Sequence, residues 1–164
     1  YPAKAVEAMD RVCKEAEKQL ETRTSDHRLH TAFGRIDEAI AMSAMYTANH
    51  LGVAAIAALT ESGSTSQWMS RISSGIPIYA LTAQVATRRK VTLFRGVYPV
   101  SLDLEEGIDS RQANMEVIDE LQRRGAVRDD DLVIITKGDL KGVSGGTNVM
   151  KIVRVGQHTA PADG

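Results

Sequence analysis

From residue 36 to residue 155, short apolar runs alternate with amphipathic stretches, and that alternation restricts the chain to an α/β fold. Residues 53–59 follow Gly52 as an almost unbroken apolar run and end at a polar turn, the pattern of a strand buried on both faces. Similar runs recur at 76–81, with Pro77 suited to the first strand position, and at 96–100 and 131–135. Between them lie helical stretches at 36–50, 66–73, 84–91 and 112–124; Ile36, Ile40 and Ala44 share a face in the first, and Met115, Ile118 and Leu121 in the last. Residues 149–155 alternate Val149, Lys151, Val153 and Val155 against Met150, Ile152 and Arg154. A charge on both faces marks this segment as an edge strand. Strands separated by helices predict a three-layer α/β/α fold with a five-stranded, mainly parallel sheet and one antiparallel edge strand.

Residues 3–19 form a further predicted helix outside this alternation. Val6, Met9, Val12, Cys13 and Ala16 recur at three- and four-residue spacing, and Pro2 suits the first turn. Cys13 on that apolar face is expected to be a packing residue. The polar stretch at 21–28 contains no large apolar side chain. The expected organisation is therefore a separate terminal helix at 1–20, a linker at 21–30, an α/β domain at 31–156 and a flexible tail at 157–164. A start at Tyr1 without an initiator methionine adds the expectation that the chain is a piece of a longer one.

Composition excludes several functions. One cysteine in 164 residues cannot build a disulfide framework or a multi-cysteine metal site, and it fits a reducing cytoplasm. Twenty Lys and Arg against 21 Asp and Glu, a net charge of -1, give no electrostatic grip on nucleic acid or on an anionic membrane. No apolar run approaches the roughly 20 residues that span a bilayer.

In parallel sheets ligands bind beyond the carboxyl ends of the strands, so the loops there are where chemistry is expected. The first is Thr60-Glu61-Ser62-Gly63-Ser64-Thr65, hydroxyl residues around a glycine at the start of a helix. Such a loop can hold a phosphomonoester through backbone N–H groups and hydroxyl donors. The plainer alternative is an N-cap, Ser64 or Thr65, after a tight turn. The loop lacks the lysine and the glycine spacing of a P-loop. The second loop, residues 138–147, contains four glycines and Lys141. Its backbone could form an anion-binding concavity, or it could simply connect two strands. The two loops strengthen each other, since both follow strand carboxyl ends and could face one another across a phosphorylated ligand.

Other residues are assigned structural roles. His27, His30, His50 and His158 have no metal-ligand spacing, Arg88-Arg89-Lys90 is a solvated helix face, and Asp129-Asp130-Asp131 sits in a turn before a strand. No nucleophile is accompanied by a base, and no catalytic residue or metal site is nominated.

Several motifs follow one another in a telling order: residues 60–65, Ser70-Arg71-Ile72-Ser73-Ser74-Gly75-Ile76-Pro77-Ile78, Arg95-Gly96-Val97-Tyr98-Pro99-Val100, residues 125–135, and Gly145-Gly146-Thr147-Asn148-Val149-Met150-Lys151-Ile152. Together they resemble the C-terminal regulatory domain of the pyruvate kinase family, in a bacterial branch. Residues 1–9 resemble the last helix of that family's catalytic barrel, and the resemblance extends from Tyr1 to about Val155.

The resemblance implies an allosteric effector site at Thr60, Glu61, Ser62, Gly63, Ser64 and Thr65, joined by Arg111 and by Lys141, Ser144 and Gly145 of the later loop. In members that bind fructose bisphosphate, a Trp and an Arg seven residues apart hold the second phosphate. Here the Arg position is Arg111, but the Trp position holds Leu104. A sugar monophosphate or nucleoside monophosphate is therefore the expected effector. For the full-length protein the resemblance implies a cytoplasmic glycolytic homotetramer that transfers phosphate from phosphoenolpyruvate to ADP with Mg2+ and K+. The catalysis would lie on a barrel domain, and this chain would be inactive and hold no cofactor. Two alternatives come from other classes: a stand-alone phosphosugar enzyme such as an isomerase, for which no general base can be named, and a structural oligomerisation module using the 36–50 helix and the 149–155 strand.

Overall fold

A computed structural model describes residues 1–20, 32–105, 107–138 and 145–157. The linker expected at 21–30, Lys141 and Ser144 of the second loop, and the tail beyond Gln157 lie outside the described residues. The elements run α1 (Pro2–Leu20), α2 (Ile36–Leu51), β1 (Ala55–Leu59), α3 (Ser64–Ser70), β2 (Ile78–Thr82), α4 (Val85–Val91), β3 (Val97–Ser101), α5 (Ser110–Arg123), β4 (Leu132–Gly138) and β5 (Thr147–Arg154).

The strands form one sheet in the order β3-β2-β1-β4-β5. The first four strands are parallel, and β5 returns antiparallel to β4 at the edge, as its two-sided charge implied. Pro99 falls in β3, the opposite edge, where a residue without an N–H leaves no interior ladder bond unmade. Pro77 lies one residue before β2 and still serves the sheet, its carbonyl accepting from the Ile56 N–H at 3.0 Å.

Strand periodicity divides the core in two. Ile56, Ala58, Ile78, Ala80 and Ile134 point to one side, where Ala41, Ala44, Met45 and Ala48 of α2 meet them together with Met69 of α3 and Val91 of α4. Ala57, Leu81, Val100, Val133 and Ile135 point to the other side, against Val117, Ile118 and Leu121 of α5. Each large apolar side chain so buried contributes about 1.5–3 kcal/mol. Alanines on both partners let α2 lie close to the sheet. That helix ends at Gly52, whose φ of 69° is the left-handed cap that lets its N–H reach the Ala48 carbonyl.

Two sequence expectations change. α1 is a helix, but its apolar face is bare: Val6, Met9 and Val12 are 61%, 59% and 69% exposed, and Cys13 is exposed and not packed. No described element covers that face. Helix α3 starts at Ser64, two residues earlier than periodicity placed it, and neither Ser64 nor Thr65 is its N-cap. Gly63 holds that position in the left-handed region, with φ of 79°. The hydroxyls of both residues are used elsewhere.

Candidate functional site

A cleft of about 660 Å³ opens at the carboxyl ends of the parallel strands. The chain moves outward from β1 to β2 and β3, then crosses to β4 on the other flank of β1. This reversal point is where α/β sheets leave a crevice between diverging connections. The walls are the ends of β1 and β2, residues 102–105 after β3, Lys137 and Gly138 of β4, residues 145–147 entering β5, and Ser110 and Ala113 of α5.

The loop after β1 is shaped by its own hydroxyl and by α4. Thr60 Oγ1 accepts from the Gly63 N–H at 3.0 Å, closing the turn. Thr87 Oγ1 donates to the Glu61 carbonyl at 2.5 Å, and Lys90 Nζ donates to the Ser62 carbonyl at 3.0 Å. Glycine is required at position 63 twice over. Its φ is positive, and a Cβ there would stand 2.8 Å from Val91 Cγ1. At the end of the loop, Thr65 is buried and its Oγ1 lies 2.7 Å from Thr147 Oγ1. The two loops thus meet directly at one corner of the cleft.

Of the residues expected at the site, the cleft wall contains Thr60, Glu61, Thr65 and Gly145. Ser62, Gly63, Ser64 and Arg111 are not in it. Arg111 is an exposed residue of α5, one position after Ser110, which does line the cleft. The α5 terminus is organised by Asp109, whose Oδ1 accepts from the N–H groups of Arg111 (2.7 Å) and Gln112 (2.9 Å). Those two bonds hold the Asp109 carboxyl below the usual carboxylate range, the Gln112 N–H having the larger effect. The cap also explains why α5 begins at Ser110 and not at Gln112.

Lys137 was missed by sequence reasoning. It is the penultimate residue of β4, and its Nζ donates to Ser110 Oγ (2.5 Å) and to the Ser110 carbonyl (3.3 Å), joining β4 to α5 across the cleft wall. Its signal was available: Thr136 and Lys137 continue the strand alternation, but their polarity had ended the expected strand at Ile135. Among the described lining residues Lys137 is the cation, facing a wall that includes Glu61, Asp103 and Glu105. Leu104, at the position expected for a Trp, also lines the cleft. Thr82, Ser110 and Thr147 add further hydroxyls, while Leu59, Leu81 and Leu102 supply apolar surface. The wall therefore offers hydroxyls and carboxylates to the hydroxyls of a polar ligand and one cation, Lys137, to an anionic group.

Behind the wall sits Asp37, at the start of α2 and 1% exposed. Arg35 meets it as a fork, Nε to Oδ1 at 2.8 Å and an Nη to Oδ2 at 3.0 Å, and Ser64 Oγ donates to Oδ2 at 2.8 Å. The Arg35 hydrogen bonds hold the Asp37 carboxyl below its ordinary range, against the opposing effect of burial and with help from Ser64. Nothing in the sequence marked this residue beyond an acidic group in a helix's first turn.

Among the described residues no three His, Cys, Asp or Glu side chains are placed to hold a metal ion, so a divalent cation finds no ligand set among them. No helix of the described residues is long and apolar enough to cross a membrane.

Comparison with known proteins bears on this architecture. The family model for the pyruvate kinase alpha/beta domain matches residues 38–153. The chain is 47% identical over 157 residues to a pyruvate kinase of Buchnera aphidicola subsp. Baizongia pistaciae, covering 94% of this chain and 32% of that protein. It is 46% identical to pyruvate kinase II of Salmonella typhimurium over the same shares, and 33% identical to the pyruvate kinase of Geobacillus stearothermophilus, covering 100% of this chain and 28% of that protein. The chain therefore spans about a third of the length of the curated relatives it matches. On the family match over residues 38–153 and these identities, the chain belongs to the pyruvate kinase family, as its C-terminal alpha/beta domain.

Proposed function

We propose that this domain binds a phosphorylated effector in the cleft and contacts neighbouring subunits of a cytoplasmic, homotetrameric pyruvate kinase. The observation that carries the reading is the joint wall: Thr60 and Thr65 of the hydroxyl loop and residues 145–147 of the glycine loop border one cleft at the sheet's reversal point. Phosphate transfer from phosphoenolpyruvate to ADP, with its Mg2+ and K+, belongs to the catalytic barrel of the longer protein; this domain's residues supply none of that chemistry. Effector binding acts by favouring one of two packings of the domain on its barrel and neighbours, through differential affinity for the two.

A monophosphate is the effector this wall favours. Glu61, Asp103 and Glu105 repel a second phosphate while offering acceptors to sugar hydroxyls, and Leu104 takes the place of a Trp. Subunit contact is supported by the outer face of α2, where Ile36 is 69% exposed and Tyr46 54%, and by the open edge of β5.

The test is thermal unfolding of the chain titrated with ribose 5-phosphate, glucose 6-phosphate, AMP and fructose bisphosphate. A ligand that binds only the folded state raises its stability, by about 2.7 kcal/mol at a hundredfold excess over Kd. Saturable stabilisation by a monophosphate, lost in Thr60→Ala/Thr65→Ala, is the expected outcome. No shift with any of them would leave a structural module as the better reading, and isomerase turnover would favour a stand-alone enzyme.

A further inference from the structure

We infer that Asp37 is a positioning residue which links the effector loop to the start of α2, and that Ser64 acts on a bound ligand through Asp37 and not by touching it. The inference rests on the effector reading above and adds how occupancy of the cleft is passed on. Among the described residues, four hydrogen bonds occupy both carboxylate oxygens of Asp37. Oδ1 takes Arg35 Nε and the Glu38 N–H at 3.1 Å; Oδ2 takes the second Arg35 bond and the Ser64 hydroxyl. A serine has a single hydroxyl hydrogen, and the one on Ser64 points at Asp37, so it is not offered to the cleft. This agrees with the wall, which includes Thr65 but not Ser64.

The same pair meets the second loop. A Cβ on Gly145 would collide with the Arg35 guanidinium and stand 3.3 Å from Asp37 Oδ2, so the Gly145 backbone lies directly against the ion pair. Three segments distant in sequence, at 35–37, 64 and 145, therefore share one buried carboxylate. Two of them continue into the cleft wall, through Thr65 and through Gly145 itself. A charge that is 1% exposed cannot surrender its partners without a large desolvation penalty. When a ligand orders or shifts either wall, the start of α2 must follow. That helix also presents Ile36 and Tyr46 at the surface, so its displacement is visible outside the domain.

The experiment is hydrogen exchange by mass spectrometry on this chain, free and saturated with ribose 5-phosphate, following peptides that cover 32–38. In the wild type the ligand is expected to slow exchange there by roughly threefold or more, since local opening is what exchange reports. Ser64→Ala keeps Thr60, Ser62 and Thr65 in place. It is expected to bind ribose 5-phosphate no worse than about tenfold more weakly, the loss of one indirect hydrogen bond. At saturation, however, its 32–38 exchange is expected to be unchanged by ligand, and Ser64→Thr, which retains the hydroxyl, should restore the response. Ligand-dependent slowing that persists in full in Ser64→Ala would overturn the inference, as would wild-type binding with no change at 32–38. A wild type that does not bind at all removes the effector reading itself, and this inference with it.

Discussion

Replacing Gly63 by alanine adds one methyl group at a tight point of the loop after β1, and the structure sets what that methyl must cost. The residue has φ of 79°, a region that costs an L side chain about 1–2 kcal/mol. The new Cβ would also stand 2.8 Å from Val91 Cγ1, well inside contact distance, with Thr87 Cγ2 at 3.5 Å and Phe94 Cε2 at 3.8 Å closing the other sides. Val91 is completely buried at the end of α4, so overpacking adds about 1–3 kcal/mol. Against this, alanine restricts the unfolded chain and recovers about 0.4–1 kcal/mol. The net expectation is a loss of about 2–4 kcal/mol, a fall of roughly 4–16 °C in Tm for a chain of this size. Urea unfolding measures it directly. The two causes separate in a cycle with Val91→Ala: if the clash is real, the double variant is less destabilised than the sum of the singles by about 1 kcal/mol or more. A Gly63→Ala cost below about 0.5 kcal/mol would refute both parts of the reasoning. Additivity within about 0.5 kcal/mol would refute the packing part and leave only the backbone.

Two further outcomes are expected from the same corner of the fold. Arg35 holds the folded-state carboxyl of Asp37 below its unfolded value, so the contribution of that group is fully present above the ordinary aspartate pKa of about 3.9 and is lost as pH falls through the lowered folded value. Asp37→Asn should flatten the acid limb of a stability-against-pH curve in that window, and an unchanged limb would dismiss the ion pair as its source. The buried hydroxyl pair Thr65 and Thr147 should behave asymmetrically: either Thr→Val alone strands a polar partner and costs about 1–3 kcal/mol, whereas Thr65→Val with Thr147→Val costs less than the sum, as read from urea midpoints.

The cleft was partly legible in the sequence because its main chain lies at strand ends, and strand ends are marked by a change from apolar to polar residues. That is why Thr60, Glu61, Thr65 and Gly145 could be named beforehand and stand in the wall. Ser64 belongs to the same motif, yet it gives its hydroxyl to Asp37. Composition cannot tell a hydroxyl facing the cleft from one facing the protein, since both look alike along the chain. Lys137 and Asp37 were passed over for the opposite reason: each looks like an ordinary solvated charge until a partner remote in sequence reaches it.

Periodicity settled what depends on neighbours along the chain: the order of helices and strands, the parallel majority of the sheet, and β5 as the charged edge. Its solvent-free faces follow from side chains that alternate by twos and by threes and fours. Tertiary structure decided what depends on residues brought together from afar. It left the α1 face bare, gave the cap of α3 to Gly63, and placed a buried carboxylate where the start of α2, Ser64 and Gly145 converge. The cause is the reversal of strand order at β1, which opens a cleft between connections and packs together loops separated by some eighty residues, as the 82-residue separation of Thr65 and Thr147 illustrates.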